Sequence, residues 1–492
     1  MGKIKNESIN DSFILLLGLA VGTLNNLYIF PKFITPGELG LLRTVLSAIT
    51  FLSPLVLLST PNIFVKFHPI FGKKRHDLFT LAHVILFIGI LFFIILAFLF
   101  GDYLKEYFTE KNANFSRYFF IVIITTIVFG WYKFIVSINR VNYSISVPNI
   151  FSNLGLKIFL SIGVILIGSA YMRYDLLIRL IPAYYLLAGI LLFIKVLQQY
   201  KYKFTFNTFK ESFNAQRNKI LNFGMFSMLT SMAGVVVVNI DIIMITLLLN
   251  EEKTGIYTIA FFIATVIEIP KRSLLNISGP LISNLWNKKN IAEIEKLYKK
   301  TSYLLLLVGA YIFVLIWNNA SSIYQFMPNG KVYEQGKIII LVIALAKLFD
   351  MLTSINGEII ANSNLYRFNF YGLIMLSVSS VITNLIFIPS LGILGAALAS
   401  LLSLIVFNIY KVIVVYQFIK IQPFSANTLI IIATGIVAMV VGHFLPTFES
   451  TILTVIFTSV VLTVVFYVPL KLLKVTSELE QLIINRFIKS KN

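Results

Sequence analysis

The stretch GELGLLRTVLSAITFLSP, residues 37–54, has a counterpart in EKTGIYTIAFFIATVIEIP, residues 252–270. A shift of 215 positions lays Gly40 on Gly255 and brings Pro54 within one residue of Pro270. The same shift carries the lysines at positions 73 and 74 onto those at 288 and 289. A repeat that matches both in hydropathy and in the positions of glycine, proline and lysine predicts that the chain contains one helical unit twice.

The composition around this repeat is that of a membrane protein. Of the 492 residues, 58% are hydrophobic and 13% are charged, and the mean hydropathy is +0.87. A bilayer core needs about 20 apolar residues per helical crossing, so the chain is predicted to be a polytopic membrane protein. We count about fourteen spans, at residues 13–30, 39–58, 78–100, 117–138, 151–172, 176–197, 220–249, 255–275, 303–320, 338–360, 370–388, 391–416, 428–445 and 452–471.

The spans predict the domain organisation. An even number of spans separates the two halves, so both halves enter the membrane in the same direction, as in transporters built from parallel repeats. We therefore predict an all-α integral membrane protein with two parallel six-helix repeat bundles plus two extra helices. The predicted parts are an N-terminal bundle (1–200), a basic cytoplasmic linker (201–219), a C-terminal bundle (220–420), two additional transmembrane helices (421–474) and an amphipathic cytoplasmic tail (475–492).

The distribution of basic residues predicts the orientation. Lysine and arginine are concentrated in alternate loops, such as KFHPIFGKKR at 66–75 and NKKNIAEIEKLYKK at 287–300. Because basic loops stay cytoplasmic, both termini are predicted to be cytoplasmic. The net charge of +20 is spread over many loops, which favours anionic membrane lipids as partners and not nucleic acid. The absence of cysteine excludes disulfides and thiolate metal sites.

Three segments carry a family resemblance: VNIDIIMITLLLNEEKTGIYTIAFFIATVIEIPKRSL at 238–274, GELGLLRT at 37–44 and PSLGILGAALASLLS at 389–403. They make about the first 420 residues resemble the polysaccharide exporters and O-antigen (lipid-linked oligosaccharide) flippases of the multidrug/oligosaccharidyl-lipid/polysaccharide exporter superfamily. The two extra helices fit the fourteen-helix members of that superfamily. The resemblance implies two bundles that rock in alternating access, with helices 1, 2, 7 and 8 nearest the cavity.

The resemblance also implies a function. A protein of this family in the bacterial inner membrane moves an undecaprenyl-pyrophosphate-linked oligosaccharide, of the O-antigen or capsule type, to the periplasmic leaflet. Lipopolysaccharide or other polysaccharide biosynthesis is the expected process, and other polysaccharide-assembly membrane proteins are possible partners. Carrying unpaired sugar hydroxyls through hydrocarbon costs several kcal/mol each, so a polar groove has to escort them.

Charged residues within the spans are the candidates for such a groove, since they are costly in lipid unless they face a cavity or a partner. On helix 10, the spacing of Lys347, Asp350, Ser354 and Glu358 places four polar side chains on one stripe. On helix 4, Lys133, Ser137, Arg140 and Ser144 form a similar stripe. As alternatives, Lys347 and Asp350 could neutralise each other locally, and Lys133 could extend to the interface.

Further candidates lie outside these two stripes. The predicted substrate-binding residues are Lys347, Lys133, Arg140, Arg43, Arg179, Asn25 and Asn26, because ammonium, guanidinium and amide groups donate hydrogen bonds to pyrophosphate and sugar oxygens. The predicted coupling or gating residues are Asp241, Asp350, Glu358 and Glu268. For Arg43 and Arg179, extension to the outer interface is an equal alternative.

Two other functions remain open at this stage. One is a cation-coupled multidrug or lipid II exporter of the same superfamily, although the first helix offers only Asn25 and Asn26 where lipid II flippases carry arginines and multidrug antiporters often carry an acid. The other is a membrane-embedded polysaccharide polymerase or ligase. The short outer loops and the four scattered histidines argue against such an enzyme, and the missing Walker A motif leaves direct use of ATP unsupported. No catalytic residue, metal site or cofactor is predicted.

Overall fold

The computed structural model describes residues 2–111, 113–206 and 208–477. Thirteen helices in these ranges are long and apolar enough to cross a membrane, and one bent pair makes a fourteenth crossing. In chain order they are α1 Asn10–Phe33, α2 Pro36–Leu57, α3 Arg75–Lys111, α4 Phe119–Val141, α5 Ser146–Gly168, α6 Tyr174–Tyr200, α7 Phe209–Leu248, α8 Glu251–Arg272, α9 Ile291–Asn318, α10 Gly330–Leu352 with Asn356–Asn362, α11 Tyr366–Leu391, α12 Ile393–Ile419, α13 Ala426–His443 and α14 Thr451–Leu472. The predicted all-α membrane fold is confirmed, and the 13 to 14 candidate crossings agree with the predicted number of about fourteen spans.

The chain divides into two compact units, residues 1–255 and 256–492. Helix α7 packs against α2 and α3 and therefore belongs to the first unit. The division into bundles at the linker 201–219 stays a prediction. The predicted tail helix at 475–492 lies for the most part outside the described residues, which end at Ser477.

Helix α2 begins where its sequence provides a cap. The Thr35 hydroxyl accepts a hydrogen bond from the backbone N–H of Glu38 at 3.2 Å, and the Glu38 carboxylate accepts one from the N–H of Thr35 at 2.8 Å. Pro36 occupies the first helical position, where no N–H is needed. This reciprocal capping box satisfies two of the free N–H groups at the helix start. It fixes the residue at which α2 begins.

Two helices of the first unit that pack against each other each contain a π-helical turn. These turns cover Asn25–Ile29 in α1 and Ile150–Gly155 in α5. Lys157 of α5 donates a hydrogen bond from Nζ to the carbonyl oxygen of Gly18 at 2.7 Å. The absence of side chains at Gly18 and Gly22 allows α5 to approach α1 this closely, since a Cβ on Gly18 would lie 2.9 Å from the Asn153 carbonyl oxygen. Turns of this kind often occur at functional positions in helices.

Helix α10 of the second unit is broken, which the sequence did not predict. Its two parts, ending at Leu352 and beginning at Asn356, differ in direction by 47°, and Ser354 between them has φ of +52°. The break is stabilised by side chains of its neighbours: the Ser354 hydroxyl bonds to that of Thr301 at 2.8 Å, and Thr353 donates to the Asn408 side-chain oxygen at 2.8 Å. The predicted continuous stripe from Lys347 to Glu358 is therefore wrong, because the helical periodicity stops at Leu352.

Candidate substrate cleft and charged network

A basic cleft of about 220 Å³ lies in the first unit. It is formed by α2, α4, α7 and the short helix Thr60–Phe71 that follows α2. Lys133 and Arg140 of α4 line it together with Ser137, so the predicted stripe on this helix faces a polar space. Ser144 does not join them, because it lies beyond the end of α4 and accepts a hydrogen bond from Lys195 at 2.7 Å.

The lining of the cleft also contains an amide and several hydroxyl groups, among apolar side chains. The Asn62 amide donates to the hydroxyl of Ser227 at 2.8 Å and to that of Ser231 at 3.3 Å. Among the described residues, neither Lys133 nor Arg140 has a carboxylate within ion-pair distance. The Lys133 ammonium lies 5.2 Å from the centre of the Phe129 ring. The cleft thus holds two positive charges without a counter-charge, an arrangement suited to an anion.

A second polar cluster of the first unit lies between α1 and α2. The guanidinium of Arg43 donates to the Asn26 side-chain oxygen at 2.6 Å and lies 5.7 Å from the Phe30 ring centre. Its Nε is buried without a hydrogen-bond partner. Asn25 faces α5, where its amide donates to the Lys157 carbonyl at 2.9 Å. Of the two predicted asparagines, Asn26 therefore holds Arg43, and Asn25 joins two helices.

A larger cavity of about 470 Å³ in the first unit has almost purely apolar walls. Its lining includes Phe51, Leu55, Phe93, Phe119 and Leu247, and no charged side chain. Sugar hydroxyls and phosphate oxygens would lose their hydrogen bonds there. The basic cleft is therefore the better candidate for the polar part of a ligand.

The second unit contains a network of charged residues that joins α8 to α10. Lys347 lies 3.1 Å from the Glu268 carboxylate, and Arg272 lies 3.6 Å from the same carboxylate. Asp350 pairs instead with Lys271, at 2.6 Å. The alternative of a local pair between Lys347 and Asp350 is therefore wrong, because both find closer partners on α8.

The remaining predicted residues lie apart from these two sites. Arg179 on α6 pairs with Asp175 at 2.8 Å, and its side chain is 54% exposed. Asp241 is buried in α7. Glu358 lies beyond the break in α10, where a Cβ on Gly279 would be 3.1 Å from its carboxylate oxygen. Their assignment to substrate binding or coupling stays a prediction.

Comparisons with known proteins agree with this architecture. No family model matches the sequence. A probable low-salt glycan biosynthesis flippase, Agl15 of Haloferax volcanii, is 22% identical over 215 residues, which are 43% of this chain and 45% of that protein. The chain thus matches less than half of the length of this relative.

Solved structures resemble the chain over most of its length. The lipid II flippase MurJ, in an inward closed conformation, superposes with a TM-score of 0.71 at 16% identity, covering 94% of this chain and 99% of that one. An inward-facing multidrug resistance transporter of the MATE family and MOP superfamily has a TM-score of 0.61 at 12% identity, covering 83% of this chain and 94% of its own. This chain has the fold of these MurJ and MATE structures.

This likeness in fold agrees with the resemblance seen in the sequence. These relatives are named as flippases and transporters, which agrees with the prediction that the chain is not an enzyme. In the described part of the chain, no three His, Asp or Glu residues are grouped so that they could hold a metal ion. The described part of the chain is thus a multi-pass membrane protein.

Sequence reasoning missed three lysines that contribute to polar sites in this fold. Lys157 bonds to α1, Lys271 pairs with Asp350, and Lys411 of α12 is 6% exposed and lies 4.1 Å from the Phe407 ring centre. Lys271 and Lys411 occur near the predicted ends of their spans, where a lysine normally extends to the interface. Lys157 also lies only six residues inside its predicted span, 151–172, so the same argument applies to it.

Proposed function

We propose that this protein is a flippase that moves an undecaprenyl-pyrophosphate-linked oligosaccharide, an O-antigen or capsule-type repeat unit, across the bacterial cytoplasmic membrane by alternating access. The observation that carries the proposal is the basic cleft, in which Lys133 and Arg140 face Asn62 and several serine hydroxyls without a carboxylate. In this assignment the two cations bind the pyrophosphate, and the amide and hydroxyl groups bind its remaining oxygens.

The proposal also accounts for the distribution of charge. On the orientation that the basic loops favour, the cleft lies toward the cytoplasmic ends of α2 and α4, where a newly assembled lipid-linked sugar would enter. The two negative charges of the pyrophosphate would gain about 2.3 kcal/mol each per 100 mV on moving outward. Both termini are cytoplasmic in this proposal, and anionic lipids contact the basic loops.

The charged network of the second unit favours an anionic substrate over a cation-coupled multidrug exporter. Such an exporter needs a carboxylate that is available to a proton or Na⁺, whereas two of the four predicted coupling carboxylates, Glu268 and Asp350, already have lysine partners at 3.1 and 2.6 Å. The match to a glycan biosynthesis flippase points in the same direction. An oligosaccharide on a lipid carrier satisfies both the basic cleft and the polar lining.

The test is transport in proteoliposomes that contain the purified full chain. A fluorescent oligosaccharide on undecaprenyl pyrophosphate is placed in both leaflets, and a membrane-impermeant quencher reports the fraction exchanged. We expect wild-type protein to expose the inner pool, and the pair of substitutions Lys133→Ala and Arg140→Ala to stop exchange. Lys299→Ala is the matched control, because Lys299 pairs with Glu295 at 2.6 Å on a half-exposed surface.

Two results would contradict the proposal. Equal exchange by wild type and the double variant would show that the cleft does not bind the substrate. Exchange of fluorescent lipid II in place of the oligosaccharide, or of a cationic drug driven by a Na⁺ or proton gradient, would assign the protein to another branch of the superfamily.

In cells, deletion is expected to leave lipid-linked oligosaccharide on the cytoplasmic leaflet.

A further inference from the structure

Next to the break in α10, two oxygen atoms of one residue, Asp350, contact one ammonium group. Lys271 of α8 donates from Nζ to a carboxylate oxygen of Asp350 at 2.6 Å and to the backbone carbonyl oxygen of the same residue at 2.8 Å. That carbonyl lies in the last turn before the helix ends at Leu352. The Thr353 hydroxyl oxygen lies 3.2 Å from that carbonyl oxygen, and its single hydrogen is directed to the Asn408 side-chain oxygen at the shorter distance of 2.8 Å.

These oxygens are of the kind that binds a small hard cation. Carboxylates, backbone carbonyls and hydroxyls are its usual protein ligands. In membrane transporters, the C-terminal ends and unwound carbonyls of broken helices coordinate coupling ions such as Na⁺. A second layer is present as well, since Thr353 donates to the side-chain oxygen of Asn408, which is buried.

The Lys271 side chain fills this position. It is 7% exposed, and the Asp350 side chain is 16% exposed, so the pair is largely removed from solvent. Its charge equals that of a monovalent ion, and the chain connects it to α8. A lysine in a merely neutralising pair needs only the carboxylate, whereas this one also bonds to the carbonyl at the helix end.

We propose that Lys271 is a tethered cation that permanently occupies a monovalent-ion site at the broken helix α10. The second unit then needs no Na⁺ to reach its stable conformation, and transport does not depend on a Na⁺ gradient. Removal of the ammonium uncovers the site, so that a variant without Lys271 binds Na⁺ where the wild-type protein does not. This inference is independent of which lipid-linked substrate the first unit binds.

The experiment compares wild type with Lys271→Met as purified full-length proteins in detergent. Tm is measured in NaCl, KCl and choline chloride at one ionic strength, and binding of radioactive ²²Na⁺ is measured in parallel. For Lys271→Met we expect a lower Tm in choline, a saturable rise of about 3 °C or more in Na⁺, and bound ²²Na⁺. We expect wild type to show neither effect. The matched control Lys299→Met breaks a half-exposed pair of the same length and is expected to show no Na⁺ response.

Two further variants keep the test decisive. Lys271→Met/Asp350→Asn removes both charges and is expected to fold without a Na⁺ response, which separates ion binding from general stabilisation by salt. Lys411 acts electrostatically on the same carboxylate, so Lys271→Met/Lys411→Met removes the lysine that could take the vacant place. Na⁺ stabilisation is expected to be stronger in this double variant than in Lys271→Met.

The inference is overturned by any of three results. One is a saturable Na⁺ effect in wild type that Asp350→Asn abolishes, because the site would then admit a free ion. A second is the absence of Na⁺ binding in both Lys271→Met and Lys271→Met/Lys411→Met, which retain Asp350. The third is that Lys271→Met and Lys271→Met/Lys411→Met fail to fold in any salt while Lys271→Met/Asp350→Asn folds. Na⁺ would then be unable to replace the ammonium.

Discussion

Substitution of Lys133 by Met should weaken anion binding and leave the fold intact. In the described structure its ammonium has no carboxylate partner and lies in the cleft beside Arg140, another cation. Methionine removes a charge that is costly within a membrane and that repels its neighbour. The free energy of unfolding should therefore stay the same or increase, in contrast to the loss that normally follows when one member of a buried ion pair is removed.

The loss of binding follows from the type of contact. A hydrogen bond between a charged donor and a charged acceptor contributes about 1.5–3 kcal/mol, which corresponds to a roughly 10- to 150-fold weaker Kd. Arg140→Met should cost about as much by the same argument. Because both side chains would bind one pyrophosphate, the double variant should show coupling of about 0.5–3 kcal/mol, so that its loss differs from the sum of the two single losses.

The assay is titration of each purified variant with inorganic pyrophosphate, followed by undecaprenyl pyrophosphate in detergent. Tm is measured on the same samples. Lys299→Met, with its half-exposed pair to Glu295, is the control for general loss of positive charge. The reasoning is refuted if Lys133→Met binds as tightly as wild type, or if it unfolds at a clearly lower temperature, which would mean that Lys133 has a structural partner.

Three further predictions concern the helix contacts. Gly40→Ala should lower the free energy of unfolding by about 1–3 kcal/mol, because its Cβ would lie 1.8 Å from the Glu251 carbonyl oxygen. The control Gly37→Ala should leave it unchanged, because no atom lies closer than 3.9 Å to that Cβ. Thermal unfolding of both variants tests this. Lys347→Met should lower the free energy of unfolding by about 2 kcal/mol, because it leaves the Glu268 carboxylate with only the longer contact to Arg272. The double variant Lys347→Met/Glu268→Gln should recover part of this loss in the same measurement. Hydrogen bonds from Ser146 lower the pKa of Glu7, so this contact stabilises the fold above the ordinary carboxylate pKa, and the stabilisation is lost as the pH falls through the lowered pKa. Glu7→Gln should therefore show a smaller drop in Tm from pH 7 to pH 3 than the wild type does. An equal drop in Tm would contradict the assignment.

The helices were predictable from the sequence because the bilayer imposes their length and apolarity. Each of the fourteen spans requires an uninterrupted apolar run, and that signal is local. The break in α10 was not predictable in this way, because its segment is as apolar as an intact span. It depends on partners far along the chain, namely Thr301 on α9 and Asn408 on α12.

The same distinction between local and distant signals applies to the site. Lys133, Ser137 and Arg140 belong to one turn-to-turn stripe of α4, so their common direction followed from helical spacing alone. The partners of Asp350 and Lys347 could not be derived like this. Both lie on α8, at Lys271 and Glu268, and spacing within one helix favoured the wrong local pair.

The repeat in the sequence has a direct structural counterpart at the start of α2 and of α8. A Cβ on Gly40 would lie 1.8 Å from the carbonyl oxygen of Glu251, and a Cβ on Gly255 would lie 2.0 Å from that of Pro36. The shift of 215 that relates Gly40 to Gly255 also relates Pro36 to Glu251, so each helix start presents its glycine to the equivalent carbonyl of the other. A reciprocal contact of this kind is what a local two-fold relation produces. Glycine recurs at this position because the two backbones touch there, and a side chain on either one would separate both.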